Sequence, residues 1–125
     1  MSKVDAGLRY SAEHEWVDGS SPVKVGISAV AADALGDVVY VDLPEVGSVI
    51  TAGETCGEVE STKSVSDLYA PVSGEIVEVN QDAIDNPALL NEDPYGAGWL
   101  FTVNTTSEGA LLSAEEYAEK NGGEL

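Results

Sequence analysis

Apolar and polar residues alternate along this chain in short runs, each closed by glycine, proline or small polar residues. The runs PVKVGI (22–27), DVVYVDL (37–43), GSVI (47–50), CGEVE (56–60), SVSDLY (64–69), GEIVEV (74–79) and WLFTV (99–103) read as strands. Between them lie PEVG, TAGET, APVSG and EDPYGAG, whose glycines and prolines suit tight turns. Strands of this length and spacing predict a small β sandwich or barrel.

Two stretches switch to the helical period. In SAVAADALGD (28–37), Ser28 is the expected N-cap and Gly36 the stop, with Val30, Ala31, Ala34 and Leu35 expected on one apolar face. Ser113 and Glu116 spell a capping box that opens a C-terminal helix, and Asn121, Gly122 and Gly123 end it. NEDPYGAG (91–98) lacks the lysine and the helix start that phosphate cradles use, so it reads as structural punctuation. A faint echo links GSVITAGETCGEVESTK (47–63) with APVSGEIVEVNQDAID (70–85). Two similar β units about one axis would leave Lys63 at an end of the molecule.

Composition then narrows the partners. The 125 residues, 43% of them hydrophobic, suffice for one domain with its own core. A formal net charge of −18 repels a phosphate backbone and an anionic membrane, so neither nucleic acid nor membrane is expected as a partner. The charge suits partners with complementary positive patches, or serves solubility alone. The single Cys56 cannot close an internal disulfide and the single His14 cannot build a zinc site. Cys56 reads as a small apolar strand residue, His14 as structural, and Trp16 and Trp99 as core. No apolar stretch of signal-peptide length opens the sequence, and no run approaches the roughly 20 apolar residues that cross a bilayer. A soluble, cytoplasmic chain is the expectation.

One residue stands apart. Lys63 is the only basic residue between Lys24 and Lys120, and it sits in GEVESTKSVSDLY (57–69), where the run EVE leads in and SVSDL leads out. That places it at a hairpin tip, among the small residues Ser61, Thr62 and Ser64 and near the acids Glu58, Glu60 and Asp67. A lysine on a strand edge is ordinarily a solvated surface charge. Its isolation and small neighbours favour a second reading, an amine presented to a large enzyme. An amine ringed by carboxylates stays protonated, which argues against a Schiff-base lysine and for one acylated by a dedicated ligase.

The segment EVESTKSVSDLYAPVSGEIVEVN (58–80) resembles the lipoyl-lysine hairpin of the glycine cleavage system H protein family. EHEWV (13–17), VGIS (25–28), LGDVVYVDLPEVG (35–47), NEDPYGAGWL (91–100) and SAEEY (113–117) resemble that family's motifs in order and spacing, over nearly the whole chain. The resemblance implies a mainly β, lipoyl/biotinyl-type barrel-sandwich hybrid with a short internal helix and a C-terminal helix, one carrier domain over 1–125. It implies lipoate in amide linkage to Lys63, and a carrier that is not itself an enzyme. Its partners would be the pyridoxal-phosphate glycine decarboxylase, the tetrahydrofolate-dependent aminomethyltransferase, dihydrolipoamide dehydrogenase and a lipoyl ligase or transferase, with the chain itself a monomer. The decarboxylase releases CO2 and loads the aminomethyl group of glycine; the transferase unloads it with release of ammonia; the dehydrogenase reoxidises the dithiol. By the same resemblance, Glu15 and Asp67 match the carboxylates that hold the cationic amine.

Three other readings stay open at this point. A lipoyl or biotinyl domain of another complex shares the hairpin, although biotin carriers usually flank the lysine with methionines, and Thr62 and Ser64 stand here. A carrier relaying octanoyl or lipoyl groups during lipoate assembly would look similar. An unmodified acidic interaction protein would leave Lys63 as surface charge.

Overall fold

The computed structural model describes residues 2–125, and in it the expected strands collect into two antiparallel sheets. The larger runs in the order β10 (Leu111–Ser113), β1 (Arg9–Ser11), β2 (Glu15–Val17), β3 (Val23–Ile27), β9 (Phe101–Glu108), β8 (Val72–Val79) and β5 (Val49–Ile50). The smaller runs β4 (Val38–Asp42), β6 (Thr55–Ser61) and β7 (Val65–Tyr69). Neither sheet closes on itself, so the mainly β sandwich predicted from the alternation forms from two open sheets. No helix among the described residues is long and apolar enough to cross a membrane.

Alternation decides what the sheets bury. Val41, Val59 and Leu68 of the small sheet join Val25, Ile27, Ile76, Phe101 and Val103 of the large one in a single cluster. Burial of one such side chain contributes about 1.5–3 kcal/mol. A second cluster, with Tyr10, Trp16 and Tyr117 at its centre, lies under α4 (Ala114–Asn121). There the Tyr10 and Tyr117 rings stack at 4.3 Å between centroids. Trp16 is core, as expected, and its Nε1–H donates to the carbonyl of Pro94 at 3.0 Å. Gly26 across the sheet makes room for it: a Cβ there would come within 2.5 Å of the indole ring. Trp99 is only half-buried, with the Lys24 ammonium 5.1 Å from its ring centroid.

The helix caps form as read. Ser28 Oγ accepts from the Ala31 N–H at 3.1 Å and opens α1 (Ala29–Leu35), which Gly36 ends at φ +80°. The apolar face is not the expected one. Ala32 is the buried residue; Val30 packs with the Tyr10 cluster, Ala31 and Leu35 with the main core, and Ala34 is exposed. The helix is wedged between two clusters, so it is contacted on more than one side. At α4 the Ser113 hydroxyl accepts from the Glu116 N–H, and the Glu116 carboxylate accepts from the Ser113 N–H, both at 3.1 Å. Ser113→Ala is expected to cost about 1 kcal/mol, read as a lowered urea midpoint with unchanged slope.

Other elements depart from the sequence reading. The three-residue strands β1, β2 and β10 and the single-turn helices α2 (Gln81–Asp85) and α3 (Leu89–Glu92) are too short to show a period. The last expected strand starts later, at Phe101, because the Trp99 carbonyl is drawn aside to Asn80 Nδ2 at 2.7 Å. The internal echo yields unequal pieces: its first half gives β5 and β6, in different sheets, and its second gives β8 and α2. The punctuation segment 91–98 braces the fold. Asn91 Oδ1 accepts from the Val38 N–H at 2.8 Å, while its Nδ2 donates to the Gly36 carbonyl at 2.7 Å. That brace fixes the end of α1 against the start of β4, directly beside the lysine hairpin.

Candidate functional site

Strands β6 and β7 reverse through Thr62, Lys63 and Ser64, and the turn is built around the buried Ser61. Its hydroxyl accepts from the N–H groups of Lys63 and Ser64, each at 3.1 Å. The Ser61 N–H donates to the Ser64 carbonyl at 2.8 Å, and the Thr62 N–H reaches the Asp37 carbonyl at 3.0 Å. The backbone below Lys63 is therefore fixed, while the side chain is exposed. Its methylenes lie against Gly36, where a Cβ would come within 2.9 Å of Lys63 Cε. The positive φ favours glycine at position 36, whereas the lysine stem is flexible and could shift from a Cβ there. The only ion pair among the described residues joins Arg9 to Glu108, so the Lys63 ammonium forms none.

Acids line the strands that lead to the tip. Register sets Glu58 opposite both Asp42 and Asp67, a row of like charges across the small sheet that costs stability.

Beside the hairpin lies a cavity of about 160 Å³. Glu13, His14 and Glu15 line it from the N-terminal side, Ala31, Ala34 and Leu35 from α1, and Ser66, Asp67 and Leu68 from β7. Glu15 and Asp67, far apart in sequence, thus both reach its wall. They differ in kind. Asp67 is exposed, whereas Glu15 is only 2% exposed. The Glu15 Oε1 receives the Ser11 hydroxyl at 2.5 Å and Oε2 the Tyr69 N–H at 3.2 Å. Burial pushes the Glu15 carboxyl up to about 8, against the opposing pull of those hydrogen bonds. Near neutral pH it is mostly an uncharged acid. No hydrogen bond joins Glu15 to Asp67 among the described residues.

His14 belongs to a network that spans the second cluster. Its Nδ1 lies 2.6 Å from the Tyr117 hydroxyl, which lies 2.6 Å from Ser28 Oγ, tying α4 to the cap of α1. Burial lowers its pKa, so it stays neutral, and its φ of +77° turns the ring into that network. The structural reading of His14 fits this arrangement, although one side of it faces the cavity. Cys56 is half-buried with its thiol pushed by burial up to about 12, as a small strand residue should be. The sequence reading missed Glu13 and Ser11; Glu13 stands two residues from Glu15 inside EHEWV, whereas Ser11, four residues upstream, reaches the Glu15 carboxyl through the β1–β2 turn.

The family model for the glycine cleavage H-protein matches residues 8–122. The chain belongs to that family. It is 62% identical over 118 residues to a glycine cleavage system H protein of Streptomyces avermitilis, covering 92% of this chain and 94% of that one. It is 56% identical over 126 residues to one of Corynebacterium jeikeium, covering 97% and 99%. The fold agrees as closely: the crystal structure of a glycine cleavage system H protein from Mycobacterium marinum superposes with a TM-score of 0.91 at 56% identity, over 95% of this chain and 99% of that one. As an H protein, the chain is a carrier of the glycine cleavage system, and Lys63, Glu15 and Asp67 all fall inside the matched span.

Proposed function

We propose that Lys63 bears lipoate in amide linkage and that the whole chain, 1–125, works as one carrier domain with no catalysis of its own. The hairpin tip carries this reading: an exposed, unpaired amine on a turn fixed by Ser61, with its stem beside Gly36. When bound there, lipoate supplies the dithiolane that accepts the aminomethyl group of glycine. Glycine decarboxylase loads this carrier, the aminomethyltransferase unloads it, dihydrolipoamide dehydrogenase restores the disulfide, and a lipoyl ligase or transferase modifies Lys63. A net charge of −18 supports partners with basic docking faces, met by a cytoplasmic monomer.

The cavity beside the hairpin protects the cargo. Ile27, Leu35, Val59 and Leu68 exclude water from one side, while Asp67 and Glu15 offer oxygens to a cationic amine. The test is the stability of the loaded state. After loading with glycine by the decarboxylase, and with no transferase present, Glu15→Gln with Asp67→Asn should lose ammonia and formaldehyde faster than wild type. A charge-assisted hydrogen bond of about 1.5–3 kcal/mol sets the increase at roughly ten- to a hundredfold. Equal decay rates would mean that the cargo is not held by these two carboxyl groups.

A further inference from the structure

Glu13 and Glu15 line two cavities. One is the cavity already described beside the hairpin. The second, of about 290 Å³, is also lined by Ser11, Ala12, Tyr69, Pro71 and Gly109. Ser11 is itself 8% exposed, and its hydroxyl is the one side-chain hydrogen-bond partner of the Glu15 carboxyl among the described residues. The same oxygen accepts from the Glu15 backbone N–H at 3.1 Å, which fixes it in place whatever the carboxyl does.

A hydroxyl oxygen has two lone pairs and one rotatable hydrogen. When Glu15 is a neutral acid, Ser11 Oγ can accept from its O–H as well as from its N–H, leaving the serine hydrogen to point to the second cavity. When Glu15 is a carboxylate, the serine hydrogen turns and donates to Oε1. The titratable groups facing Glu15 are Glu13, His14, Cys56, Asp67, Tyr69 and Tyr117; burial keeps His14 neutral, so none supplies a compensating positive charge. A cationic cargo entering the first cavity would be the first positive charge that Glu15 meets.

We propose that Ser11 is a positioning residue that switches Glu15 from acid to carboxylate as the cationic cargo arrives, passing the displaced proton to water in the second cavity. The proposal rests on the reading of the first cavity as the cargo site. The Glu15 O–H bond breaks and its proton adds to Ser11 Oγ, while the serine's own hydrogen leaves for a water molecule. No electrons are exchanged, and the reverse transfer restores the acid when the cargo departs. The cargo is then held by an ion pair that exists only while the carrier is loaded.

Two measurements test this. In the unloaded full-length protein with carboxyl-labelled glutamate, NMR follows the titration of Glu15 in wild type, Ser11→Ala and Ser11→Thr. Loss of a hydrogen bond to the charged form should raise the Ser11→Ala midpoint by about one pH unit, and threonine, which keeps the hydroxyl, should restore it. In the loaded protein, Ser11→Ala should decay roughly tenfold faster than wild type at pH 7, with the gap closing near pH 10, where Glu15 is ionised without help. A Glu15 midpoint unmoved in Ser11→Ala overturns the proposal, as does a threonine variant that behaves like alanine. If Ser11→Ala decays normally while Glu15→Gln with Asp67→Asn decays fast, the switch alone is wrong. If both decay normally, the cargo site is wrong and the switch falls with it.

Discussion

Lys63→Arg is expected to remain folded and take up no lipoyl group at all. Arginine keeps a positive charge on a long flexible stem, so the acidic surroundings of the tip see little change. The turn depends on Ser61, whose bonds reach only the backbone N–H groups of Lys63 and Ser64 and the Ser64 carbonyl, and those survive the substitution. What disappears is the amine that an acyl group can join in a stable amide. Intact mass of protein from lipoate-replete cells should show one lipoyl addition in wild type and none in Lys63→Arg, with matching urea unfolding curves. The four other basic side chains, Lys3, Arg9, Lys24 and Lys120, lie on other elements, outside the turn that presents Lys63. An addition that persists in the variant would move the attachment site elsewhere.

The second large effect belongs to Glu15. Its carboxyl is raised by burial from an ordinary 4.5 to about 8, so the folded chain keeps a proton that the unfolded chain loses. Between those values the native state keeps the Glu15 proton, and this residue's contribution to wild-type stability therefore falls as pH climbs from about 4.5 to about 8. Glu15→Gln keeps the shape, still accepts from the Tyr69 N–H and can donate to Ser11 Oγ, but never ionises. Relative to its value at pH 4, the stability of the variant over wild type should grow by about 1.4 kcal/mol per pH unit, to roughly 4 kcal/mol, and level off above pH 8. The substitution leaves every other acid of the chain in place, so the difference between the two proteins centres on Glu15. Urea denaturation of the unlipoylated pair from pH 4 to 9 measures it; a constant difference would place Glu15 in contact with water. The same substitution is expected to favour the empty protein at neutral pH and, under the proposed function, to shorten the life of the loaded one.

The sequence alone determined what depends on neighbours along the chain. The alternating runs became strands because each needs only its own residues to present one apolar face. Ser28 and Ser113 cap their helices because the oxygen and the N–H it serves are three residues apart. Lys63 could be placed at a hairpin tip because small turn residues and flanking strands are contiguous. Tertiary structure alone decided the rest. The buried face of α1 could not be read because Ala32, Val30 and Leu35 answer to two clusters assembled from distant segments. The cavity exists only where the β1–β2 turn, α1 and β7 meet, and its two acids, one exposed and one buried, look alike in sequence. Whether a carboxyl ionises depends on how much water the rest of the fold removes from it, and for Glu15 burial outweighs the hydrogen bonds from Ser11 and Tyr69, neither of which the motif EHEWV contains.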